Sequence, residues 1–190
     1  MLPGLVSKKA TMRLEWESPL FGPLVHVEAV FSEDERYRYW LEFRWSDAPP
    51  LIVWMLNPSV ASHLRLDPTA TGMIKRARAW GYGGLIIINL FAYRATEPDD
   101  MKRADDPFGP ANETIVMIAL ARAVESGFPI LCGWGVNGTF MERDVWATGL
   151  AAKMECPLSV LRLTAEGHPG HPLYIPREVR AVAWRAPWIA

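Results

Sequence analysis

Four short apolar runs, Leu51–Leu56, Leu85–Leu90, Pro129–Cys132 and Leu158–Leu163, do most to restrict what this chain can fold into. Each is nearly uninterrupted by polar residues, the pattern of strands covered on both faces rather than strands with one wet face. Helix-like segments separate them. The first runs from about Thr71 to Trp80 and stops at Gly81; the second starts near Ala111 after Gly109-Pro110 and stops at Gly127; the third spans about Phe140 to Met154, before Pro157. Strand–helix alternation closes through right-handed crossovers, so the expected architecture is a three-layer α/β/α sandwich around a central, mainly parallel four-stranded sheet. Upstream, two β-rich runs flank Ser32-Glu33-Asp34-Glu35, and the second alternates aromatic and charged residues from Tyr37 to Trp45. They read as a hairpin, and Asp47-Ala48-Pro49-Pro50 marks the change of pattern. The expected organisation is one domain over residues 1–190, with a hairpin extension over 1–48 and an α/β core over 51–175.

A chain of 190 residues, half of them apolar, can bury one sizeable core. Its net charge of −1 supplies no global positive field, so any binding to DNA must come from a local basic patch. Two cysteines, Cys132 and Cys156, are too few for a disulfide framework and read as small buried hydrophobes. The start "MLPGLVSKKATMRLEW" lacks a secretory pattern, and no apolar run reaches the ~18 residues of a membrane span. We therefore expect a cytoplasmic protein with no membrane contact, no cofactor, no metal and no obligate protein partner. Nine tryptophans could build a core or provide stacking surfaces, and core is the reading for most of them.

Ligands of open parallel sheets bind beyond the carboxyl ends of the strands. Polar residues gather there in this sequence: Asn57-Pro58-Ser59 after the first strand, Asn89 and then Arg94 after the second, Gly133-Trp134-Gly135 after the third, and His168 and His171 after the fourth. Asn57 precedes proline, which favours an extended backbone, and its amide can orient a water; a turn-forming Asn-Pro pair is the alternative. Asn89 interrupts "LIIINLF" and offers both a donor and an acceptor, suited to the edge of a base or to neighbouring backbone. His171, as a donor, can stabilise charge on a leaving base. The two histidines have no third ligand nearby for a metal. "GWGVNG" has neither the lysine of a phosphate loop nor the dinucleotide spacing, and no G-x-S-x-G elbow is present. The aspartates, Asp67 among them, mostly precede proline or begin helices, where caps and turns explain them. Cations for a nucleic-acid backbone are Lys75, Arg76 and Arg78 on the first helix, Arg94, Lys102 and Arg103 after the second strand, and Arg177, Arg180 and Arg185 in the tail; each group has a solvated-face alternative. Trp80, Tyr82 and Tyr174 could stack on bases.

The ordered set "MLNPS", "DPT", "WGYGGLIIINLFAYRAT", "GPAN", "GWG" and "GHPGHPLY" resembles a bacterial and phage family known as domain of unknown function 1643, over about Leu51 to Ile175. The same succession is similar to the uracil-DNA glycosylase superfamily, whose first motif ends a strand in Asp-Pro or Asn-Pro and whose second is a His-Pro loop after the last strand. The resemblance implies a glycosylase-like fold. It places Asn57 as the residue that positions water, as in the mismatch-specific branch, Asn89 as the base-reading amide, and His171 as the second-motif histidine, with His168 as its competitor. Pro58, Ser59, Phe91 and Tyr174 would complete the base pocket, with Val60–Thr71 as its wall. "LNPS" and "HPLY" depart from the uracil enzymes' motifs and argue against uracil as the base.

The implied reaction is hydrolysis of an N-glycosidic bond after the nucleotide leaves the duplex, by a monofunctional enzyme, since no lysine accompanies the motifs. The resemblance further suggests phage defence through excision of bulky modified pyrimidines such as glucosylated hydroxymethylcytosine. Two other readings stay open: a hydrolase or transferase of free nucleosides or nucleotides, and a non-catalytic module that binds nucleic acid or a modified base. A continuous basic stripe beside Asn57 would favour DNA.

Overall fold

The computed structural model describes residues 26–59 and 67–189, together with the backbone alone of three strand segments before them. Ten strands lie among the described residues: β1 (Ser7–Met12), β2 (Glu17–Ser18), β3 (Gly22–Pro23), β4 (His26–Ser32), β5 (Arg38–Arg44), β6 (Pro50–Met55), β7 (Gly84–Asn89), β8 (Ile130–Cys132), β9 (Leu158–Val160) and β10 (Val182–Trp184). The α-helices are α1 (Pro68–Ala79), α2 (Pro98–Lys102), α3 (Asn112–Ser126) and α4 (Arg143–Lys153). Apart from the small β2–β3 pair, the strands form one mixed sheet in the order β1-β4-β5-β7-β6-β8-β9-β10.

The parallel ladder foreseen from the apolar runs is the interior of that sheet: β7, β6, β8 and β9 pair in parallel. The expected four-stranded sheet is nevertheless too small. The hairpin β4–β5 pairs antiparallel with β7, so it is an integral wing of the sheet rather than an extension beside it, and β10 closes the opposite edge against β9. The run that alternates aromatic and charged residues is β5, and six of its seven residues are buried.

Alternation along the parallel strands sorts their side chains between two apolar layers. Leu51, Val53, Met55, Leu85 and Ile87 pack with Met73, Ile74 and Ala77 of α1. Ile52, Trp54, Ile86, Ile88 and Cys132 face Val116, Ala119 and Leu120 of α3 and Ala147 and Ala151 of α4. Cys132 and Cys156 are buried and free, and burial pushes both thiols up, Cys156 to about 11. Indoles form a chain through the second layer, with ring centroids of Trp54 and Trp134 5.8 Å apart, Trp134 and Trp184 6.0 Å, and Trp184 and Trp188 6.2 Å.

Element ends depart from the sequence reading for local reasons. α1 begins at Pro68 rather than Thr71, because the Asp67 carboxylate accepts from Ala70 N–H (2.7 Å) and proline suits the first helical position. α4 starts at Arg143, after a 3-10 segment over Val136–Glu142 that occupies the region expected to be its first turn. α3 ends where expected, at Gly127 in the left-handed conformation. β9 stops at Val160, where the chain turns into a narrow loop held by Gly170 N–H to Arg162 O (2.7 Å) and Thr164 N–H to His168 O (2.8 Å). Residues 60–66 of the expected pocket wall, and residues 1–6 and 13–16 of the N-terminal segment read for a secretory pattern, lie outside the described residues.

Candidate active site

The carboxyl ends of the four parallel strands open into one cleft of about 630 Å³. Asn57 and Ser59 reach it from the end of β6, Asn89 from β7, Trp134 after β8, and Thr164, His171 and Tyr174 from the segment after β9. Asp67, the N-cap of α1, and Arg38 of β5 complete the lining. Its inner wall is apolar at Met55, Leu56, Ile87 and Ala95. The volume is within the range of about 300–1,000 Å³ typical of small-ligand pockets.

Asn57 is held by its donors. Its Nδ2 donates to Ala95 O (2.9 Å) and Pro58 O (3.3 Å), which leaves Oδ1 without a partner among the described residues, an acceptor available to a water. Ser59 Oγ donates to Asp67 Oδ2 (3.0 Å), so Asp67 both caps α1 and ties the Asn57-Pro58-Ser59 turn to the helix. Asn89 sits two residues beyond Ile87 on the α1 face and is buried. Its backbone is anchored from the other layer: Asn112 Nδ2 donates to Asn89 O (3.2 Å) and Leu90 O (3.0 Å), and Arg143 Nε donates to Leu90 O (3.1 Å).

His171 accepts Leu173 N–H at Nδ1 (3.3 Å), so the neutral ring carries its proton on Nε2 as a donor. Burial lowers its pKa, an effect Asp67 partly opposes, and the imidazole is neutral at pH 7. Its loop is seated closely: a Cβ on Gly133 would lie 2.8 Å from Pro172 Cδ, so only glycine lets β8 and the His171-Pro172 turn come this near. His168 does not line the cleft. Its Nδ1 is 3.5 Å from the buried Asp144 Oδ2 and its ring packs on Trp188, on the α4 side. Of the two competing histidines, the cleft contains His171 alone.

Several other expected site residues have structural partners instead. Phe91 is fully buried and stacks on Phe108 at 5.5 Å; Pro58 is buried beside the cleft and lends its carbonyl to Ala95 N–H. Arg76 is buried, and its Nη2 donates to Ile175 O (3.1 Å) and Pro176 O (2.8 Å), which fastens the segment after His171 to α1. Arg78 lies over the Trp45 ring (4.6 Å), and Arg94 Nη1 donates to Glu35 O (2.8 Å). Lys75 is half-buried and Arg177 is exposed. Trp80 is flanked by Arg76 and Arg180, and Tyr82 packs on Phe128. Tyr174, by contrast, is 81% exposed at the mouth, its ring 5.7 Å from that of His171.

The sequence reading missed two contributors. Asp67 was explained by its helix cap, which it makes while also facing the cleft. Arg38 was given no role beyond its place in the alternating run of the hairpin, although it opens "RYWLEFR", a strand rich in aromatic residues. Among the described residues no group of three or more His, Cys, Asp or Glu is placed to hold a metal ion, and no helix is long and apolar enough to cross a membrane.

No curated protein and no solved structure matches this chain in comparisons of sequence and fold. A family described as a protein of unknown function, DUF1643, matches residues 38–173, from the first residue of β5 through the His171 turn. That span takes in every strand end that borders the cleft, and the chain belongs to the DUF1643 family.

Proposed function

We propose that this cleft hydrolyses the N-glycosidic bond of a nucleotide whose base enters it, and that the substrate is DNA carrying a modified pyrimidine. The observation that carries the reading is the convergence of Asn57, Asn89 and His171, from three separate strand ends, on one cavity. Their chemistry is complementary. Asn57 Oδ1 is an acceptor that holds a water without taking its proton, adequate for a dissociative transition state in which the sugar is already cationic. His171, neutral with Nε2–H as donor, meets the negative charge that grows on the leaving base. Asn89 has donor and acceptor for a base edge. The similarity of the motifs around Asn57 and His171 to the uracil-DNA glycosylase superfamily supports the same assignment.

A second reading, hydrolysis of free nucleosides or nucleotides, gains from the α1 cations. Arg76 and Arg78 are engaged within the fold, so the basic stripe that would favour a duplex is weakened at its centre. The test is to incubate the purified chain with plain, uracil-containing and glucosylated hydroxymethylcytosine duplexes, then cleave abasic sites with alkali. Strand breaks confined to the modified duplex, lost in Asn57→Ala and His171→Ala, are the expected result. Base release from free nucleosides with intact duplexes would replace the first reading by the second, and no release from either would remove both.

A further inference from the structure

Of the polar side chains that line the cleft, Arg38 and Asn89 are the most deeply buried, at 5% and 2% exposure. Neither side chain forms a hydrogen bond or ion pair with any described residue, and Arg38 Nε is sealed from solvent as well. Asp67 acts on Arg38 through space, but both its oxygens are engaged, by Ala70 N–H and Ser59 Oγ–H. Burial pulls the Arg38 pKa down to about 10, so the guanidinium is still charged at neutral pH. A desolvated ion without a counter-ion opposes folding, and buried charges are normally paired. What satisfies a guanidinium best is a pair of oxygens that share negative charge, held by its parallel N–H groups.

We propose that Arg38 and Asn89 form an oxyanion subsite at the floor of the cleft, and that it takes the oxygen-bearing edge of a pyrimidine that is, or becomes, an anion. The assignment rests on the base-excision reading and deepens it. In a continuous strand the phosphates remain outside, so the most buried end of the cleft receives the base, with the sugar level with the half-buried Asn57 and His171 and the backbone near the exposed Tyr174. As the C1′–N bond breaks, its electron pair stays on the ring and spreads over the ring nitrogens and the oxo oxygen facing Arg38. Water supplies the new C1′–O bond, and the proton it releases ends on the departed base. Arg38 therefore interacts more strongly with the product-like base than with the neutral one, the condition for accelerating the step.

The test is calorimetric titration of the whole chain with orotate, an oxo-pyrimidine carboxylate, beside uncharged cytosine and inorganic phosphate. Orotate is expected to bind at least tenfold more tightly than cytosine. Arg38→Gln should erase that preference, Asn89→Ala weaken it, and Arg38→Lys, which keeps the charge without the fork, retain part. Without ligand, Arg38→Met should melt at or above the wild-type temperature, since it removes a buried charge that no hydrogen bond or ion pair satisfies. Orotate affinity unchanged in Arg38→Gln, or a large fall in melting temperature in Arg38→Met, overturns the subsite. Phosphate binding tighter than orotate overturns the base-first orientation. Arg38-dependent orotate binding in a protein that releases no base from any duplex would sink the excision reading and leave the subsite standing; base release with Arg38-independent binding would do the reverse.

Discussion

The two halves of β5 bury opposite charges to nearly the same depth and treat them differently. Glu42 is surrounded by donors: Trp40 Nε1 at 3.1 Å, Arg122 Nη1 and Nη2 each at 3.4 Å from α3, and Arg44 Nε at 3.9 Å on its own strand. Arg38, four residues earlier, donates to no acceptor among the described residues, and only Asp67 acts on it through space. Glu42 is tied to α3 by partners the chain itself provides, so its charge belongs to the packing of the wing onto the sheet. Arg38 faces the cleft, where the missing partner must come from outside. A charge buried with partners supports the fold, and one buried without them marks where selection has accepted a local conflict for another end.

The contrast is sharpest in catalysis. Asn57→Ala and His171→Ala should each lower base release by about 10²–10⁴-fold, the usual reach of a positioned polar group, with melting unchanged. Arg38→Met should follow with about 10²–10³-fold, measured by single-turnover cleavage of the modified duplex. If Arg38→Met instead lost stability as expected of Glu42→Ala, the two halves of the strand would be alike. Glu42→Ala is expected to cost about 2 kcal/mol in urea melts, because it leaves Arg122 and Trp40 without their acceptor, yet to keep activity per folded molecule. Gly133→Ala must move Pro172, at about 1 kcal/mol and a several-fold loss of activity, because the turn it displaces holds His171. The smallest effect is in pH. Burial places the folded His171 pKa below 6.5, so between the two values the unfolded chain binds more protons and stability rises with pH across that window. The acid limb of activity should accordingly have its midpoint below 6.5; a midpoint above 6.5 would mean another group controls it.

The rim of the cleft was legible because each of its residues ends an apolar run. Asn57 and Asn89 stand out against Leu51–Leu56 and Leu85–Ile88, and the rule that ligands sit at strand carboxyl ends did the rest. The floor was not legible. Period-two alternation in β5 assigns its charged residues to solvent, and nothing local shows that β4 and β7 flank the strand on either side while α3 covers it. The cations on α1 misled for a related reason: a helix face rich in arginine looks solvated until the returning chain at Ile175 and Pro176 is known to cross it. The choice between His168 and His171 likewise depends on Asp144 and Trp188, which only the tertiary fold brings near.

Trp134 belongs at once to the cleft wall and to the file of indoles that runs from Trp54 to Trp188. Neighbouring rings at about 6 Å exchange excitation, so light absorbed anywhere along the file is sampled by the ring that borders the cavity. The molecule thus carries its own optical gauge: a heterocycle settling against Trp134 should dim the emission of the whole series, and occupancy can be followed without any label.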